Sequence, residues 1–358
     1  MTSDWRQELG GRFPEGAVRP ESFGNPHAEY TWIQTESIVC DRGDLVWIEL
    51  TGRDRAKFLH NFCTQEIRGL VAGQGAEAFV TSLQGKVLAH IHVFIGEESL
   101  WLATVDVTRE MLLAHLDKYR ITEDVEFHDR STSHTTLFVS GPDAEDHLTR
   151  LGVAASSLGD HNHFWTDALS PEGAAGPAGK VHVARVDLLV QPGYLLGVDR
   201  ELVSSVARRL VTAGLHPVGD LAFDAARIEA CAPWYGRDIS DANLAQEVQR
   251  TKRAISFTKG CYLGQEPIAR IDALGHVNQI LRGVRLKQGP LPEPGSPLFA
   301  GGEKPVGRIT SAAISYSDDL PVALAYVRRG SDRPGQDVVV QTTHGLQPGT
   351  LFWTGPEE

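Results

Sequence analysis

The sequence has no stretch approaching the roughly 20 apolar residues that a membrane-spanning helix needs, so no membrane partner is expected. It also has no tract of Lys and Arg. Its 34 basic residues face 46 acidic ones, a formal net charge of −12, which argues against a nucleic-acid partner. An anionic small ligand stays open to it, because one basic pocket suffices. The first eleven residues lack an apolar core, so no secretory signal is read there and a cytoplasmic location is expected. Cysteine is scarce: Cys40, Cys63, Cys231 and Cys261 are widely spaced and form no Cys-x-x-Cys pair. That sets aside a disulfide framework, a zinc knuckle and a run of cluster ligands. What is present is ordinary for a globular chain, 41% hydrophobic and 22% charged, and 358 residues imply two or three domains.

Residues 1–27, rich in Gly, Pro and charge without a sustained period, read as a loosely ordered arm. From residue 45 the pattern sharpens. Residues 45–50 form a strand-like run, and Thr51-Gly52-Arg53-Asp54 turns it into a helix carrying Phe58 and Leu59. The same phrase returns as Thr136-Leu137-Phe138-Val139, then Ser140-Gly141-Pro142-Asp143, then Leu148. In each copy an aspartate stands two residues after the glycine and a leucine seven after it. Glycine allows a sharp turn and aspartate suits a helix N-terminus, so the repeat points to a duplicated α+β unit.

Residues 76–80 and 87–95 read as paired strands about Gln84-Gly85-Lys86. His90 and His92 alternate onto one strand face. With no third metal ligand in view they read as a solvated or hydrogen-bonded pair, as do His161 and His163. Residues 111–119 have the spacing of a core helix, and 170–179 read as a flexible loop. Residues 202–211 read as an amphipathic helix stopped by Gly214 and Pro217, with a second helix over 221–231. Beyond about residue 276 short β-rich runs (280–286, 306–309, 322–327, 337–342) alternate with Gly/Pro turns. That texture is a small β-barrel or sandwich in its own domain, 276–358, after a body over 28–275.

Chemistry concentrates in residues 257–270. Gly260 and Gly264 flank Cys261-Tyr262-Leu263, which permits unusual backbone angles and close approach of a ligand or partner. Lys259, two residues away, is placed to lower the pKa of the Cys261 thiol. Gln265 completes the phrase, and Glu266 and Arg270 lie four apart, so a helix sets them on one face as a charge pair. A cysteine taken alone is more often a small buried hydrophobe than a nucleophile.

The phrase Lys259-Gly260-Cys261-Tyr262-x-Gly264-Gln265-Glu266 resembles the signature of the YgfZ-type folate-binding proteins, relatives of the glycine-cleavage aminomethyltransferase. Further phrases are similar to that superfamily. They are Asp41-Arg42, Phe58-Leu59 with Thr64, Arg227-Ile228-Glu229 followed by Pro233 and Tyr235-Gly236-Arg237-Asp238-Ile239, and Gly275-His276-Val277. The resemblance covers residues 28–358. It implies an α+β fold of two duplicated units around a central folate channel, closed by a C-terminal β-barrel, with tetrahydrofolate or another reduced folate as cofactor. A pterin is a flat donor–acceptor array suited to a carboxylate or amide and an aromatic platform, and its glutamate tail suits Arg or Lys. On that ground Gln191, Arg227, Glu229 and Tyr235 are the candidate folate contacts, with Lys259 near the channel. Arg227 and Glu229 fit an internal structural pair equally well.

Two departures from the superfamily pattern matter. Its aminomethyltransferases carry Gly-Ile-Leu-Asp-Asp, with an aspartate at the reacting folate nitrogen, whereas the matching Gly85-Lys86-Val87-Leu88-Ala89 has no carboxylate. They also carry Gly-Tyr-Thr-Gly-Glu-Asp-Gly, over whose last three residues Gln191-Pro192-Gly193 stands, and a glutamine is no base. The resemblance with these departures implies a folate-binding accessory protein for assembly or repair of iron–sulfur enzymes. Cys261 is then its key residue, with Lys259 assisting, and iron–sulfur proteins or their assembly machinery are its partners. The alternatives are a folate-dependent aminomethyltransferase and a folate-binding scaffold without chemistry.

Overall fold

Both copies of the strand–glycine–helix phrase fold as the sequence suggests. The structure, a computed structural model, describes residues 4–171 and 179–355, so most of the loop expected at 170–179 lies outside the described residues. Among the described residues eleven strands build the body: β1 (Ile38–Asp41), β2 (Leu45–Thr51), β3 (Gly75–Thr81), β4 (Val87–Ile95), β5 (Leu100–Val105), β6 (Glu126–Asp129), β7 (His134–Ser140), β8 (His163–Thr166), β9 (Val181–Arg185), β10 (Gly193–Asp199) and β11 (His216–Val218). Six more follow: β12 (Gln279–Leu286), β13 (Pro297–Phe299), β14 (Gly307–Ser315), β15 (Leu320–Arg328), β16 (Asp337–Thr342) and β17 (Gly345–Phe352). The helices are α1 (Trp5–Glu8), α2 (Pro26–Thr35), α3 (Arg55–His60), α4 (Asp106–Lys118), α5 (Ala144–Arg150), α6 (Val203–Thr212), α7 (Asp220–Glu229), α8 (Thr251–Ala254) and α9 (Gln265–Leu274).

The body holds two sheets, β3-β4-β5-β2-β6 and β11-β1-β7-β10-β9-β8, antiparallel except where β1 runs parallel to β11. Although β1 precedes β2 in the chain it pairs with β7, so the first unit lends a strand to the second. Trp47 on β2 links the sheets: its ring meets Phe94, Trp101 and His182, and its indole N–H donates to Thr136 Oγ1 at 3.0 Å.

Each copy of the repeat needs its glycine. β2 enters α3 through Gly52 (φ +94°) and β7 enters α5 through Gly141 (φ +130°). A Cβ there would lie 2.2 Å from the Asp124 carbonyl oxygen and 1.9 Å from that of Glu36, so only glycine fits. Leu59 and Leu148 are fully buried, in separate cores. The aspartates depart from the capping expectation. Asp54 and Asp143 hold the N-cap positions, but neither side chain bonds a helix N–H. Asp54 Oδ2 instead accepts from the Asp124 amide at 3.0 Å.

The arm does not lie loose. Trp5 is 2% exposed within the core of the second sheet, and its ring stacks near Phe23. Arg6 pairs with Asp41 at 2.7 Å and Arg19 with Asp220 at 2.8 Å. Composition hid this: one large indole and several ion pairs fix a segment that has no period of its own.

The C-terminal strands close into a barrel in the order β12-β15-β14-β13-β16-β17, around Val284, Leu286, Ile309, Ala323, Ala325 and Val340. A register slip between Ile309 and Ser311 in β14 breaks the usual alternation of faces. Thr310 and Ser311, adjacent in sequence, therefore both donate to Asp238 Oδ1, at 2.5 and 2.6 Å, and bind the barrel to the body.

Candidate functional site

A cleft opens where the two sheets meet the segment after α7. Its walls are Leu45, His90, His92, Thr104 and Val105 from the first sheet, Asp187 and Leu188 from the β9–β10 connection, residues 232–235, and Arg250. It has about 520 Å³ of empty space, part of it open to solvent, and its walls stand so close together that little of this admits even a water molecule. Tyr235, half-buried, donates its hydroxyl to the Val87 carbonyl at 3.3 Å, and burial, with Asp241 adding to it, pushes its pKa up to about 12. Asp187 Oδ1 accepts from the Gly193 amide at 3.0 Å.

Behind this wall lies a buried charge cluster. Arg250 binds both oxygens of Glu77, at 2.6 and 2.5 Å, and His90 Nε2 lies 2.8 Å from Glu77 Oε1. Burial opposes the Glu77 charge, but Arg250 and His90 hold its carboxyl well below the usual range. Burial, reinforced by the neighbouring His90 and His161, pushes His92 well below its usual range, so its ring is neutral near pH 7. Thus His90 and His92 are hydrogen-bonded rather than solvated. Among the described residues no group of three or more His, Cys, Asp or Glu is arranged to hold a metal ion.

A second and roomier cavity, with about 930 Å³ of empty space, lies between α2, α7 and the barrel, lined by Tyr30, Gln34, Gln191, Glu229, Arg285 and Phe352 among others. Glu229 accepts from the Tyr30 hydroxyl and from Arg285 Nη2, the latter at 2.7 Å. Arg285 also pairs with Asp318 at 2.8 Å. Leu188 and Leu189 stand on the two sides of one short connection, so a single loop walls both spaces.

The sequence candidates therefore separate. Gln191 and Glu229 meet in the second cavity and Tyr235 stands in the central cleft. Arg227 lines neither and is corrected to a structural role. It is 1% exposed, with Nε on Asp224 at 2.7 Å and Nη1 on Asp238 at 2.8 Å. Asp187, Trp234, Arg250, His92 and Arg285 were missed. Trp234, adjacent to Tyr235, and His92, already visible beside His90 on one strand face, carried a signal, whereas the others are brought to the cavities by loops and strand pairings distant in sequence.

The cysteine phrase folds as a pedestal. Lys259 is buried, and its Nζ donates to the carbonyls of His60, Cys63 and Gln65 at 2.6, 2.8 and 2.7 Å. Burial lowers its pKa, and its ammonium lies 4.8 Å from the Tyr262 ring. The expectation that Lys259 serves the Cys261 thiol is thus corrected: all three of its N–H bonds are spent on backbone. Tyr262 packs with Phe79, Val87 and Ile268. Cys261 is exposed, while Cys40, Cys63 and Cys231 are buried. Gly264 (φ +84°) is required, since a Cβ would meet the Ser82 carbonyl oxygen at 2.4 Å. Gly260 is not, its nearest contact being 3.9 Å. Gln265 opens α9. Glu266 and Arg270 on that helix are both exposed, and no ion pair joins them among the described contacts, which corrects the expected charge pair.

Residues 3–259 match the GCVT N-terminal domain and residues 280–352 the glycine cleavage T-protein C-terminal barrel domain. The chain belongs to the glycine cleavage T-protein family. It is 28% identical to a chloroplastic protein of Arabidopsis thaliana named as a transferase, over 92% of this chain and 74% of that one. It is 26% identical to the aminomethyltransferase of Rippkaea orientalis, over 91% and 88% of the two chains. The crystal structure of the glycine cleavage system aminomethyltransferase T from Bartonella henselae superposes with a TM-score of 0.84 at 18% identity, over 97% of this chain and 94% of that one, which establishes the shared fold. No helix among the described residues is long and apolar enough to cross a membrane.

Proposed function

We propose that this family member binds a reduced folate, with the pterin in the central cleft and the anionic tail toward the second cavity. The observation that carries the reading is the lining of the cleft: a carboxylate, Asp187, stands with the rings of Trp234 and Tyr235 in a mostly apolar slot. Those groups suit a flat ring with N–H donors on one edge. Arg285 is the cation at the other end, and a ligand carboxylate there competes with Glu229 and Asp318 for it. The closeness of the walls means that they must part to admit a ring. Calorimetric titration with tetrahydrofolate is expected to show saturable binding that Asp187→Ala and Trp234→Ala each weaken about tenfold or more. Absence of binding up to millimolar folate overturns the reading.

Within that reading we assign the chain to the YgfZ-type branch, supporting iron–sulfur enzymes through Cys261. An exposed thiol on a rigid pedestal, in a chain whose other cysteines are buried, supports that role. The second reading, aminomethyl transfer, is favoured by the names of relatives such as that of Rippkaea orientalis. Against it stand Leu88 and Ala89, which offer no proton-exchanging carboxylate where the resemblance calls for one. The readings part on one measurement: whether the purified chain restores methylene-tetrahydrofolate production to a T-protein-depleted glycine-cleavage system. Restoration favours the second reading, and failure with retained folate binding favours the first.

A further inference from the structure

A line of side chains leads from the central cleft to the surface. His92 is 5% exposed and lines the cleft. Its Nδ1 lies 3.2 Å from His161 Nε2, and His161 Nδ1 lies 3.0 Å from Asp160 Oδ1. The Asp160 side chain is 50% exposed. The proton positions along this line follow from its end. A carboxylate only accepts, so His161 Nδ1 carries a proton and, in a neutral ring, His161 Nε2 carries a lone pair. His92 Nδ1 must then donate, which leaves a lone pair on His92 Nε2. No described group hydrogen-bonds that nitrogen, and the cleft is what His92 adjoins.

We propose that His92 Nε2 is a proton acceptor for a ligand in the central cleft, and that His161 and Asp160 carry its proton to solvent. The ligand class is a flat heterocycle presenting an N–H or O–H donor to that wall. In the transfer the ligand's N–H or O–H bond breaks and His92 Nε2–H forms. The His92 Nδ1 proton passes to His161 Nε2, the His161 Nδ1 proton passes to an Asp160 oxygen, and water takes it from there. The ligand keeps the bonding electron pair, and Arg250 lies on the same wall as the charge so created.

Two further features fit a relay better than a packing role. His161 holds a left-handed backbone (φ +58°), a conformation that glycine or asparagine adopts at lower cost, so its imidazole is what the position gains. The other buried histidine pair lies away from the cleft: His182, fully buried, bonds His163 Nδ1 at 2.8 Å, His163 Nε2 ends on the Ile95 carbonyl at 2.9 Å, and the unpartnered His182 Nδ1 sits in the core rather than on the cleft wall. The charged groups around His92 are Glu77 on β3, His90 on its own strand, Arg250 before α8, and His161 with Asp160 behind it. A proton arriving on the pair is favoured by Asp160 and Glu77 and opposed by Arg250 and His90.

Folate enters this inference only as the identity of the ligand, so two experiments separate the claims. Nitrogen NMR of the ligand-free protein should show His92 protonated on Nδ1 and bare on Nε2. In Asp160→Asn, where an amide can donate or accept, that preference should weaken. A proton on His92 Nε2 in the wild type overturns the relay. Tetrahydrofolate affinity measured against pH should weaken on acidification as His92 takes up a proton. Loss of the carboxylate in Asp160→Asn should move that inflection about one pH unit lower, and His92→Gln should remove it. An inflection unchanged in both variants overturns the relay. Failure to bind folate at any pH overturns the folate reading instead, and the ligand-free spectrum still decides the relay.

Discussion

Arg227 and Arg250 are both buried guanidiniums, each held by a buried carboxylate (Asp238 and Glu77), yet their surroundings are opposite. Arg227 spans Asp224 on its own helix and Asp238, which in turn holds Thr310 and Ser311 of the barrel. Every one of those contacts joins the protein to itself. Arg250 grips Glu77 in a similar two-bond geometry, but its flank forms part of the cleft wall beside His90 and His92. The comparison teaches that a buried arginine in an Arg-x-Glu phrase is not thereby a ligand contact. What decides is whether open space adjoins it.

The sharpest way to break the comparison is Arg227→Ala. It leaves Asp238 buried without its cation, although Asp224 keeps Arg237, and breaking a buried pair costs about 3–5 kcal/mol. Denaturant unfolding should show that loss, while the protein that remains folded keeps its tetrahydrofolate affinity. Asp224→Asn, a milder cut at the same clamp, should lower stability without touching affinity. If either variant lost folate binding at unchanged stability, the assignment of Arg227 to structure would fail.

Much of the architecture was legible because local rules carry it. Gly52 and Gly141 mark turns that no other residue fits, Leu59 and Leu148 mark the faces behind them, and alternation with Gly/Pro turns marks the barrel. Trp5 was illegible because a single buried indole has no period. The site was half legible. Tyr235 and the cysteine phrase are motif-borne, whereas Asp187, Arg250 and His92 become neighbours only through long-range pairing. The role of Arg227 stayed open between ligand contact and structural pair, and that of Lys259 was misread, for one reason: sequence shows a charge, and not the carboxylates or carbonyls that use it up.

The two glycines of the pedestal offer a smaller test of the same lesson. Gly264→Ala places a Cβ against the Ser82 carbonyl in a left-handed backbone and should cost on the order of 1–3 kcal/mol. Gly260→Ala meets ordinary van der Waals distances and should stay within about 0.5 kcal/mol. Equal losses in thermal unfolding would show that both positions carry the turn.

The buried histidines should set the acid side of stability. Burial is the first cause that lowers the pKa of His92 and of His182, and neighbouring basic side chains add to it. Their rings therefore stay neutral in the fold at pH values where the unfolded chain, with histidine near pH 6.5, already binds protons. The unfolded state gains those protons first, so stability falls as pH drops below about 6.5, before carboxylates titrate. Each pKa unit of depression is worth about 1.4 kcal/mol per histidine across that window. Unfolding free energies measured at about pH 7.5 and pH 5.5 should differ accordingly, and His182→Asn should flatten the difference even if it lowers both values. A flat profile in the wild type would contradict neutral burial of these rings.

Cys261 should give the smallest stability effect and the most decisive functional one. Its side chain is exposed, and the pedestal is held by Lys259 and Tyr262 rather than by the thiol. Cys261→Ala should therefore shift the unfolding free energy by no more than about 0.5 kcal/mol and leave folate affinity intact. The buried cysteines differ: Cys63, fully enclosed against the first sheet, should cost about 1–3 kcal/mol when replaced by serine, whose hydroxyl is more costly to bury than a thiol. Mild alkylation of the native chain should accordingly label Cys261 first. If the thiol is the means by which the chain serves iron–sulfur enzymes, Cys261→Ala alone abolishes complementation while remaining as stable as the parent. Variants at Cys40 and Cys231 that still fold then complement in full. Complementation by a stable Cys261→Ala chain would strike out the role of the thiol and leave the folate cleft as the functional core of the molecule.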